Sequence, residues 1–122
     1  MKILQTIVLV YCAGTAVFTQ DFNHSEWQTK WDNSKEYLME LVDMADTLDL
    51  NYKPTADQMS LRGQLTHIAG NMYFLSNRFL EYNPQGFDRD ATLDLLNSDS
   101  LDLTAIKTEL DKAFAFAKDA IS

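Results

Sequence analysis

Cysteine is almost absent. The single one, Cys12, has no partner within the chain, so no intrachain disulfide forms and no CxxC redox or metal motif exists. Two prolines (Pro54, Pro84) and four glycines are too few for a turn-dense sandwich or barrel, and the glycines are too scattered for a phosphate-cradling loop. Two histidines, His24 and His67, leave no HxxxH or HExxH pair. Basic residues are scarce: ten Lys and Arg against eighteen Asp and Glu give a net charge of −8. Sequence-independent DNA or RNA binding depends on cations that neutralise phosphates, so this balance argues against a nucleic-acid partner. An uninterrupted apolar run of the ~20 residues needed to span a bilayer is also missing.

What is present is the composition of one folded domain, 46% hydrophobic and 23% charged over 122 residues. The first twenty residues stand apart. Lys2 is their only charge, and an apolar run from Ile3 to Phe18 follows it before the polar Thr19-Gln20-Asp21. This has the n-region and h-region of a secretory signal peptide over residues 1–20, with cleavage near Thr19 or Gln20. Tyr11 is large where lipoprotein processing before Cys12 needs a small residue, so a plain signal is expected. The protein is then exported to the periplasm or secreted, without stable membrane insertion after cleavage. Its remaining part would carry about −9 once Lys2 is gone.

Residues 21–122 read as an all-α domain with three main helices, about 25–46, 60–82 and 104–121. Ser25 and Gln28 have capping-box spacing. Trp27, Trp31, Leu38, Leu41, Val42 and Ala45 then recur at three- and four-residue steps as one stripe. Pro54 interrupts the chain, and Ser60 is suited to cap the second helix. There Leu61, Leu65, Ile68, Met72, Leu75 and Phe79 form a bundle-like seam. Asn83-Pro84-Gln85-Gly86 ends it. The acidic stretch 87–103 has room for a short helix around Ala91–Leu96. The third main helix, capped by Thr104 or Asp102, carries Ile106, Leu110, Ala113, Phe114, Ala117 and Ile121. Three one-sided helices need a closing partner, and a four-helix bundle supplies it through a fourth helix or a second copy.

His67 is the leading candidate site residue. It lies one position before Ile68, about 100° from the seam, and shares its side with Gln64, Asn71, Phe74 and Arg78. A lone histidine is more often a surface or hydrogen-bonded structural residue, since a zinc site needs at least three protein ligands. His24 precedes the first helix and is expected to be exposed. The acidic residues of 88–102 do not match a calcium loop and read as a solvated connection. No catalytic triad can be assembled around His67. Tyr73, Phe74, Phe79, Tyr82 and Phe87 read as a core cluster at the end of the second helix.

The run Ser60-Leu61-Arg62-Gly63-Gln64-Leu65-Thr66-His67-Ile68-Ala69, with an aromatic one turn or so later, resembles the second-helix signature of the DinB-like family of metal-binding four-helix bundles. Trp27 and Trp31 in the preceding helix and the Pro54-Thr55 link before Ser60 are also similar, and the likeness covers roughly residues 22–122. It implies a four-helix bundle, often dimeric, whose divalent metal, zinc or nickel, is held by three histidines. His67 matches the first. The other two belong to an HxxxH pair on a last helix that this sequence lacks, so the domain is expected to be incomplete at its C-terminal end, as a fragment of a longer bacterial protein. The complete form would be a metal-dependent thiol transferase or hydrolase-like enzyme acting on a small molecule, and this chain alone would be inactive. The competing expectation is a non-catalytic exported helical bundle that binds a protein partner without metal. A homodimer is open under both.

Overall fold

The computed structural model describes residues 23–122, and the expected signal peptide and Cys12 lie outside them. The described residues are helical, without a strand. Four α-helices follow in order: α1 (His24–Met44), α2 (Leu61–Phe79), α3 (Arg89–Leu96) and α4 (Leu103–Ile121), with a 3-10 turn Ala45–Thr47 extending α1.

Each helix starts where a side-chain oxygen satisfies a free amide of its first turn. Ser60 Oγ accepts from Gly63 N at 3.1 Å. Asp88 Oδ1 accepts from Ala91 N at 3.0 Å, and Asp102 Oδ1 from Ala105 N at 2.8 Å. The first cap differs from the expected Ser25–Gln28 box. Asn23 Oδ1 accepts from Glu26 N at 3.1 Å, and the Ser25 hydroxyl donates to the same oxygen at 2.9 Å. The asparagine takes the cap, so α1 begins before Ser25. The second helix is shorter than the expected 60–82. Its chain turns at Glu81, which adopts a left-handed backbone (φ 54°), while Tyr82 N donates back to Ser76 O at 3.2 Å.

α4 is the centre of the molecule. Ile106, Leu110, Ala113, Phe114 and Ala117 are all buried, and none of its large apolar side chains is exposed. α2 packs along it through Leu65, Ala69 and Tyr73, with Ser76 and Thr66 on the same buried face. Arg62 meets the start of α4 at the Leu101 carbonyl, and Tyr73 meets Phe116 further along. The two helices therefore run parallel, and the connection 80–102, holding α3, returns the chain to the starting end. α1 runs antiparallel to α4: ion pairs link Asp32 to Lys118, Lys35 to Asp111 and Asp43 to Lys107, and Trp31 Nε1 donates to Phe114 O at 3.1 Å. α1 and α2 thus flank α4 and scarcely touch each other.

Two expected stripes divide. On α1, Val42 and Ala45 are buried, yet Leu41 is 58% exposed. On α2, Leu65 is buried, but Phe79 is 70% exposed and Leu75 is also exposed. The expected six-residue seam mixes two faces: α4 takes the Leu65–Ala69–Tyr73–Ser76 face, and the rest lies roughly a quarter turn away.

Candidate functional site

His67 projects outward from α2 and is exposed. Asn71 Nδ2 donates to its Nε2 at 3.0 Å, one turn along the helix. The ring borders a small cavity of about 150 Å³ with Arg62, Thr66, Asn97, Ser98 and Asp99. Arg62 is committed to structure there: it donates to the Leu101 carbonyl and reaches Asn51 Oδ1 at 3.5 Å. Among the described residues no group of three His, Cys, Asp or Glu side chains is arranged to hold a metal ion. His24 is exposed at the start of α1, its ring 6.1 Å from that of Trp27. The acidic 88–102 stretch is partly a capping device, since Asp88 and Asp102 close helix starts, and Asp90 pairs with Arg89 at 2.9 Å.

The aromatic cluster has a different membership from the one expected. Phe116 is its hub, 5.0 Å from Tyr73, 4.9 Å from Tyr82 and 4.5 Å from Phe87 between ring centroids. Phe74 and Phe79 stay outside it, exposed. The alternation Phe114-Ala115-Phe116-Ala117 concealed the role of Phe116, which sits on a side of α4 turned from the Ile106–Leu110–Phe114 face. Beside the cluster, Glu109 is buried and pairs with Lys112 at 2.8 Å. Burial, and after it the negative charge of Glu109, pushes the Tyr73 phenol up to about 12. Tyr73 is buried, while Tyr82, Phe87 and Phe116 are half-buried, and Tyr73, Phe87 and Phe116 also wall an open cavity of about 420 Å³ bounded by Pro84, Thr92, Glu109 and Lys112.

The main unfilled feature is apolar. On α1, Tyr37, Leu41 and Met44 recur at helical spacing, and Leu48 continues them past the 3-10 turn. Met44 is 78% exposed. This strip stands roughly a quarter turn from the Trp31–Leu38–Val42–Ala45 face that meets α4. On α2, Leu61, Ile68, Met72, Leu75 and Phe79 form the matching strip, half-buried at its start and exposed at its end. The two converge: Leu48 and Leu61 line one apolar-walled cavity of about 450 Å³ with Tyr52, Pro54, Met59 and Gln64. The cavity lies where the connection after α1 meets the start of α2. Gln64 lines it, whereas His67, one turn further along α2, borders the separate cavity beside Asn97, Ser98 and Asp99.

No known family model matches the chain, and neither a curated protein nor a solved structure is similar to it. Sequence reasoning found the helices but did not foresee the apolar cavity. The available signal was the surplus of apolar positions on α1: Tyr37 and Met44 fall outside the stripe that packs on α4.

Proposed function

We propose that this domain is a non-catalytic helix-accepting module: three long helices of a four-helix arrangement whose functional surface is the groove between α1 and α2. One observation carries the reading. No large apolar side chain of the central helix is exposed, whereas both flanking helices expose a second apolar strip, and Leu48 and Leu61, at neighbouring ends of the two, line one cavity. A contiguous apolar surface of this kind marks a binding site. A helix laid in it would complete a square bundle, touching α1 and α2 and lying diagonal to α4. The groove should bind an environment-sensitive apolar dye, and Leu41→Lys with Leu75→Lys should remove that binding while leaving the far-ultraviolet helical spectrum unchanged. Dye binding that survives both substitutions would place the apolar surface elsewhere and sink the reading.

The DinB-like resemblance supports a second reading through the position of His67. A fourth helix that carried HxxxH would have to bring two imidazoles to the side of α2 where His67 stands, one turn from Gln64. The metal, zinc or nickel, would need three such ligands and would leave an open position for a thiol or water. Asn71 already occupies Nε2 of His67, so a metal would displace that amide or bind Nδ1. In a longer protein bearing HxxxH, His67→Ala should abolish tight zinc binding and preserve helicity. Unchanged metal stoichiometry in that variant would remove His67 from the ligand set.

A further inference from the structure

Resting on the helix-accepting reading, we infer that the occupant of the groove is an amphipathic helix of another protein, with an apolar stripe and a basic edge that faces α1. The two edges of the groove differ in charge. From Glu36 to Tyr52, α1 and its extension hold five carboxylates and no Lys or Arg. Glu36 and Glu40 each precede a groove residue, Tyr37 and Leu41, and lie one turn apart on the outer rim; both are exposed. Asp49 lines the deepest part of the groove. Asp43 is engaged by Lys107 of α4, whereas Glu36 and Glu40 are in no ion pair among the described residues. The α2 rim is different: Gln64 and Asn71 are polar and uncharged, and Arg78 stands at its far end. Lys53 is the other nearby cation, in the connection above the cavity. The middle of the groove therefore has one acidic edge and one neutral edge.

That asymmetry selects among occupants. A second copy of the chain brings another −8 and the same acidic rim. The N-terminal residues 1–20 bring only Lys2. A foreign helix with Lys or Arg along one edge satisfies Glu36 and Glu40 while its stripe covers Leu41, Met44, Met72 and Leu75. The α2 wall, Leu61–Phe79, is matched by a helix on the order of 18 residues. Opposite charges at the rim chiefly set partner choice and association rate, while the apolar strips supply most of the affinity.

The test uses the full chain and two designed 18-residue helices of identical leucine stripe, one with a lysine edge and one with a glutamate edge. Titration should give binding of the lysine-edged helix about tenfold tighter at low salt, with the difference closing at high salt. Glu36→Gln with Glu40→Gln should close it at any salt, and Leu41→Lys with Leu75→Lys should abolish binding of both helices. Equal binding of the two helices overturns the charge inference and leaves the helix-accepting reading standing. Binding of neither overturns both. Sedimentation as a dimer, or tighter binding of a synthetic Met1–Gln20 peptide, overturns the choice of occupant.

Discussion

The residues that matter most for stability are those with no exposure to lose. Val42 and Leu110 are fully buried where the flanking helices meet α4. Leu110→Ala deletes atoms from a site walled by both neighbours and should cost about 2–5 kcal/mol in denaturant unfolding. Gly70 offers the opposite change. A Cβ there would meet Leu93 Cδ2 at 3.7 Å, an ordinary contact, so Gly70→Ala should stabilise by up to about 1 kcal/mol through helix propensity. Tyr73 makes stability depend on alkaline pH. Its phenol is raised to about 12 in the fold, above the ordinary value of 10.0. A group raised on folding contributes stability that is complete below its unfolded value and is lost as pH rises through the folded one. Stability should therefore fall between about pH 10 and 12. Tyr73→Phe should flatten that slope and remove the last phenolate to appear in an ultraviolet titration.

At the scale of elements, the sequence was legible wherever one signal had one consequence. Ser60 followed by an apolar-periodic run gave the start of α2, and Asp102 before Ile106 and Leu110 gave α4. The short helix around Ala91–Leu96 was open to the sequence only as a possibility, and its Asp88 cap emerged with the structure. Legibility failed where one helix carries two apolar faces. Leu41 and Leu75 continue the buried spacing by one step, and only the placement of α4 decides which residues it covers. The Asn23 cap was missed because Ser25–Gln28 also satisfies capping-box spacing, and two adjacent caps cannot be ranked without the backbone. The candidate site divides in the same way: His67 stands out by residue type, while the groove exists only once α1 and α2 are set on either side of α4. The elements also differ in security. α1 is held to α4 by one indole hydrogen bond, a narrow apolar face and three partly exposed ion pairs, each worth about 0.2–1 kcal/mol and screened by salt. Hydrogen exchange should find α1 less protected than α2 and α4, and raising salt should lower its protection further.

The whole molecule is a central helix covered on three sides, with one corner open. Tyr37, Leu41, Met44, Leu75 and Phe79 account for most of the exposed large hydrophobic side chains of α1 and α2.

The central claim is that the strips of α1 and α2 are docking surface and not core. Denaturant unfolding of the Leu41→Lys, Met44→Lys, Leu75→Lys variant tests it most directly. The account predicts an unfolding free energy within about 0.5 kcal/mol of the parent chain and an unchanged slope with denaturant, because surface substitutions that break no contact have effects of that size. A loss of about 3 kcal/mol or more, or a chain that no longer folds, would mean these side chains are buried in the free protein, and the open groove would have to be abandoned.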